Sequence, residues 1–148
     1  MTEWPNDVKS KIDNLREKIG KYGKSGDWVN AEKLYFEAWA LIPGHKHLWS
    51  DSQWLLLEIF ELYEMMGELG KFSRFLTEME KAYPEGKDDG TVAVISGMVY
   101  FENGQLDSAY ERFDYLFKSF KKRPFQGREK KYLDFYLKES VVRKKNEG

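Results

Sequence analysis

Residues 97–113 read GMVYFENGQLDSAYERF. In this stretch Gly97, Tyr100, Gly104, Ala109 and Phe113 follow one another at intervals of three, four, five and four. Apolar positions recurring every three or four residues mark one face of an α-helix. The Asn103-Gly104 pair interrupts that face, and glycine after a polar residue is a helix stop. The stretch therefore predicts a helix, a tight turn at Gly104 and a second helix. Small Ala109 sits where the two helices must approach, and Phe113 fills the space beside the hairpin.

The same order recurs upstream. Gly26 is followed at the same distances by Ala31 and Tyr35, with Ala38 three residues further on. Gly67 is preceded by Tyr63 as Gly104 is by Tyr100, and Pro43 and Pro84 each stand seventeen residues after a hairpin glycine. The middle copy is degenerate, with Phe60 and Phe72 where the others have small residues. The glycine-to-glycine intervals are 41 and 37 residues, and the extra residues fall near 43–49 and 84–89, between hairpins.

Seven helices are expected, at about 5–22, 27–41, 50–66, 69–83, 89–102, 106–121 and 128–143. Ser50, Asp51 and Ser52 are candidate caps. The run Thr91–Ile95 is β-prone, but Val94, Ile95, Met98 and Phe101 continue at helical spacing. Paired by short connections, these helices form hairpins at about 5–43, 50–84 and 89–121, with a last helix beyond and a frayed end from Lys144.

At 148 residues the chain is expected to form a single domain over 1–148. Hydrophobic residues make up 41% and aromatics 16%, enough for a sizeable core. The absence of cysteine excludes disulfides, zinc fingers and a thiol nucleophile. No apolar run is long enough to cross a bilayer, and residues 1–11 show no secretory signal, so a cytoplasmic location is expected. The net charge of −1 hides a split: residues 1–120 carry −7 and residues 121–148 carry +6. That pattern describes an acidic body with a basic end.

The repeat resembles the tetratricopeptide repeat, a helix–turn–helix unit of about 34 residues. The resemblance covers roughly residues 7–121 as three units. It implies an all-α, right-handed stack of three helical hairpins, with the seventh helix (Tyr132, Leu133, Phe135, Tyr136) as a C-terminal cap on the open end. More narrowly, Gly26-Asp27 through Ala38-Trp39-Ala40-Leu41-Ile42-Pro43, Ser52-Gln53-Trp54, and Lys131-Tyr132-Leu133-Asp134-Phe135 are similar to small bacterial tetratricopeptide proteins. Several of these are found beside polymorphic toxins and are thought to act as immunity proteins.

In such stacks the first helix of each unit lines a concave, ligand-receiving face. Alignment on the hairpin glycines places Asp13, Arg16, Gly20, Gly23 and Lys24 there from the first unit. The second unit gives Trp54, Leu57, Glu61, Glu64 and Met65, and the third gives Thr91, Val94, Met98, Phe101 and Glu102. The expected partner-binding residues are Trp54, Leu57, Glu61, Glu64, Met65, Val94, Met98, Phe101 and Glu102. Trp54, Leu57 and Met98 have two readings, packing between adjacent hairpins or direct use by a partner. Only Arg16 and Lys24 are basic at these positions, which disfavours a clamp for a partner's terminal carboxylate.

Little in the sequence points to catalysis. His45 and His47 share a loop with one acid, Asp51, and a metal site needs more ligands. Glu58, Glu61, Glu64 and Glu68 share a helix at intervals of three and four, the pattern of a solvated face. No strand precedes a glycine-rich phosphate loop. Lys121, Lys122, Arg123, Arg128, Lys130, Lys131, Arg143, Lys144 and Lys145, interleaved with Phe125 and Tyr132, offer a weaker nucleic-acid reading. The expectation is a non-enzymatic protein-binding module with no cofactor and no metal. Its partner is a protein, a basic toxin domain, rather than nucleic acid or membrane; self-association is left open. The alternative is a general adaptor or chaperone-like scaffold for peptides.

Overall fold

The computed structural model describes residues 3–82 and 90–147. Among the described residues the α-helices are α1 (Asn6–Lys24), α2 (Trp28–Leu41), α3 (Ser50–Met66), α4 (Ser73–Ala82), α5 (Thr91–Glu102), α6 (Leu106–Phe120) and α7 (Lys130–Glu147). Short 3-10 turns span Lys46–Leu48, Leu69–Phe72 and Arg123–Phe125. No strand occurs among the described residues, so the class is all-α. The contacts divide the chain into two compact units, residues 1–82 and residues 83–148.

The three hairpins turn in the same way. The amide of the residue after each hairpin glycine donates to the carbonyl four residues before that glycine. The bonds are Asp27 to Tyr22, Glu68 to Tyr63 and Gln105 to Tyr100, each 2.9 Å long. Such a six-to-one bond needs a left-handed residue inside the loop. Gly26, Gly67 and Gly104 supply it, with φ of 75°, 70° and 74°.

Several local expectations change. Asp27 does cap α2, accepting from the Asn30 amide at 3.2 Å. Ser50, Asp51 and Ser52 all fall inside α3, whose N-cap position is Trp49 without a side-chain bond. The fourth helix opens as the 3-10 turn Leu69–Phe72. There the bulky Phe72 meets Phe60 edge-on, ring centroids 5.5 Å apart, so ring packing replaces the close approach of small residues. The seventh helix starts at Lys130 and continues to Glu147, without fraying from Lys144. The expected stop at Tyr83-Pro84 and start at Asp89 lie outside the described residues.

In the first unit α2 packs against both α1 and α3, and α3 against α4. Its core holds Ile12, Ala31, Tyr35, Ala38, Leu55, Leu56, Ile59, Phe60, Phe72 and Met79. In the second unit α5 packs along α6, while α7 lies on α6 and on the turn Arg123–Phe125. The buried Phe113 ring stands 5.4 Å from Phe125 and 6.0 Å from Tyr132. Tyr136 packs on Tyr110 and Phe117 at 5.4 and 5.2 Å. The two α7 tyrosine hydroxyls donate to carboxylates at the rim, Tyr132 to Glu102 at 2.7 Å and Tyr136 to Asp114 at 2.8 Å.

Candidate functional site

The first unit contains a cleft between α1 and α3. Trp4, just before α1, closes one end. Its amide donates to Asp51 Oδ2 at 3.0 Å and its indole N–H to Ser52 Oγ at 3.1 Å. The side chains expected as caps thus fasten the segment before α1 to the start of α3. The cleft holds about 150 Å³. From α1 it is lined by Lys9, Asp13 and Arg16, and from α3 by Asp51, Trp54, Leu55 and Glu58. A shallower hollow shares Asp13, Arg16 and Glu58 and adds Glu17, Ile19, Gly20 and the α2 residue Tyr35.

One ion pair spans the two helices. Arg16 Nη2 lies 2.5 Å from Glu58 Oε1, and Arg16 Nη1 is 3.8 Å from Asp13 Oδ1. Burial alone would lower the Arg16 pKa, but the Glu58 carboxylate, with Asp13 adding to it, outweighs this and the net shift is upward. Burial, then the Glu58 charge, pushes the Tyr35 hydroxyl up, so it keeps its proton. Glu58 Oε2 is buried without a hydrogen-bond partner among the described residues. Around the cleft and hollow, Asp13, Glu17, Asp51 and Glu58 outnumber Lys9 and Arg16.

On α3, Asp51, Trp54, Glu58, Glu61 and Met65 alternate at intervals of three and four, which aligns them along one stripe. Trp54 is 68% exposed and Met65 64%. Glu61 and Glu64 are exposed and Leu57 is half-buried. Of the expected first-hairpin positions, Asp13, Arg16 and Gly20 border the cleft or hollow, whereas Gly23 and Lys24 do not line either.

The α5 expectations need correction. Val94 and Met98 are only 4% and 1% exposed, so neither offers surface to a partner. Residues Val92 to Val99 are buried without a break. A helix apolar on every side is a buried helix, and hairpin alignment alone misses that signal. Phe101 is half-buried and packs edge-on against Tyr132 and Phe135 at 5.4 and 5.2 Å. Glu102 is taken up inside its own unit by Lys131 Nζ at 2.6 Å and by Tyr132. Burial would push its carboxyl up, but these two bonds hold it below the usual range.

Sequence reading passed over Trp4, Lys9, Glu17 and Tyr35 as site residues and placed Glu58 on a solvated face. For Glu58 the signal was present, since it lies one turn beyond Trp54. The partnership of Trp4 with Asp51 and Ser52 crosses 47 residues or more and leaves no local trace.

The other candidates gather little. His47 Nδ1 is 3.2 Å from Glu78 Oε2, and no group of three metal-binding side chains exists among the described residues. In the basic end, Lys131 pairs with Glu102, and Arg143 with Asp107 at 2.7 Å and Glu139 at 3.2 Å. Among the described residues no helix is long and apolar enough to cross a membrane. No protein-family model, curated protein or solved structure matches this chain.

Proposed function

We propose that the chain is a non-catalytic protein-binding module built from hairpins of the tetratricopeptide kind. In its most specific form it is a cytoplasmic bacterial immunity protein that binds and neutralises a basic cognate toxin. The repeat reading draws support from the shared turn bond at Gly26, Gly67 and Gly104, and from buried Ala31 and Ala109 at matching places. The binding reading is carried by one observation: Trp54 stands largely exposed on an acidic stripe beside an acid-lined cleft. Exposed aromatics next to charges act as anchors at interfaces, and an acidic surface steers a basic partner to it. Proton-transfer chemistry finds little footing in the cleft. Glu58 is engaged by Arg16, and in the neighbouring hollow the Tyr35 hydroxyl is pushed away from the neutral range where general acids and bases operate.

The test is co-expression with a basic protein encoded beside this gene. The reading expects restored growth and a stoichiometric complex that loosens with salt. Failure to protect, together with capture of many unrelated peptides, would replace it with the adaptor reading.

A further inference from the structure

We propose that Glu58 is the receptor for a lysine or arginine side chain of the protein partner, and that Arg16 holds this place in the free protein. The inference rests on the protein-binding reading above and names the chemistry recognised at its cleft. Arg16 reaches only Glu58 Oε1, while Oε2 is buried with no donor among the described residues. An ionised carboxylate accepts several hydrogen bonds, and guanidinium commonly engages both oxygens at once. Here half of that capacity is withdrawn from water and unused, a costly state for a charged group.

The surroundings fit a cation carried on an aliphatic stem. The cleft opens beside Glu58, and Trp54, one turn earlier on α3, lines the same wall. Indole attracts cations and packs against methylene stems. Asp13 and Asp51 line the same cleft and add negative charge. The Arg16 side chain is 43% exposed, so its head can move into water while its stem stays packed. An incoming cation that takes the place of Arg16 leaves Glu58 paired before and after the exchange, so the carboxylate is never stranded without a counter-charge.

Two substitutions separate this role from a structural one. Arg16→Gln removes the internal cation and leaves the receptor, whereas Glu58→Gln removes the receptor and keeps the shape. The probe is an acetylated, amidated octapeptide of alternating arginine and glycine, titrated into the full chain by calorimetry. The Trp54 indole N–H resonance, assigned with Trp54→Phe, reports the place of binding. The proposal expects Arg16→Gln to tighten binding about threefold or more and Glu58→Gln to weaken it about tenfold, with the Trp54 resonance moving. A structural pair predicts the opposite pattern, both substitutions acting alike. Equal effects of the two, no effect of either, or equal binding of a glutamate–glycine octapeptide would overturn the proposal. If Glu58→Gln does not fold, the sign of the Arg16→Gln effect decides alone. Protection in co-expression with same-direction peptide effects rejects this receptor and leaves the protein-binding reading. Opposite-direction effects without protection reject the toxin reading and leave the receptor.

Discussion

Gly97 has no room for a methyl group. A Cβ there would come within 2.4 and 2.7 Å of the Phe113 ring, which Phe125 and Tyr132 confine from other directions. Two effects oppose each other in Gly97→Ala. Helix propensity favours alanine by about 1 kcal/mol, while overpacking a tight core costs about 1–3 kcal/mol. With Phe113 fully buried the second wins, so urea denaturation should show a net loss of stability. Gly20, in the middle of α1, has nothing within 4 Å of the same position. Gly20→Ala should therefore keep the propensity gain and stabilise by up to about 1 kcal/mol. If the two substitutions shift the midpoint alike, the close approach of α5 and α6 is wrong. The glycine at 97 was legible from its spacing to Ala109 and Phe113. The partners that confine Phe113 were not, because they come from a helix and turn beyond the repeat.

At the scale of elements, α7 is held to its unit by two tyrosine–carboxylate bonds as well as by ring packing. Burial would raise the carboxyl pKa of both Glu102 and Asp114, yet bonds from Lys131 and Tyr132, and from Lys118 and Tyr136, hold both below the usual range. Tyr136 itself is pushed up to about 12, by burial and then by Asp114, so it remains a donor at neutral pH. A carboxyl pKa lowered in the folded state gives stability that is complete above its unfolded value, about 4.3 for Glu and 3.9 for Asp. That stability is lost as pH falls through the lower, folded value. Wild type should exceed a Glu102→Gln, Asp114→Asn double variant in stability at pH 7, and the gap should close in strong acid. A gap that is the same at both ends would mean these carboxylates contribute nothing through their charge. Removing residues 128–148 should bare the aromatic face of α6 and cause aggregation; a soluble, fully helical monomer would show that α7 covers nothing essential. The element pattern was readable in the sequence because glycine and proline punctuate strong helical periodicity. The 3-10 opening at Leu69 was not, since its Phe72 packs on Phe60 across the hairpin, a contact between residues too far apart to show in local periodicity.

For the whole molecule, charge is the property most directly read from sequence and most easily misassigned to a surface. The body carries −7 over residues 1–120, but acids differ in what they do. Glu102 is neutralised by Lys131 and Glu58 faces Arg16, whereas Glu61 stands exposed on the stripe that holds Trp54 and Met65. Sequence spacing places Glu61 on the same face of α3 as Trp54, two turns away, but it carried no information on which acids would find cations elsewhere in the chain. This difference decides where long-range attraction to a basic partner originates. Reversing Glu61 and Glu64 to lysine should slow association with the native partner and flatten its salt dependence, because screening acts on attraction at a distance. The helix should survive, since both residue types are good helix formers. Trp54→Ala should act on the other rate. An anchor that is exposed when free and buried in the complex contributes after contact, so its loss should raise dissociation and cost about 2 kcal/mol or more. Binding kinetics at two ionic strengths separate the two effects. If the double reversal leaves both rates and the salt slope unchanged while helicity is intact, the partner does not approach along α3. If Trp54→Ala slows association instead, the indole acts in the encounter and is not the anchor proposed here.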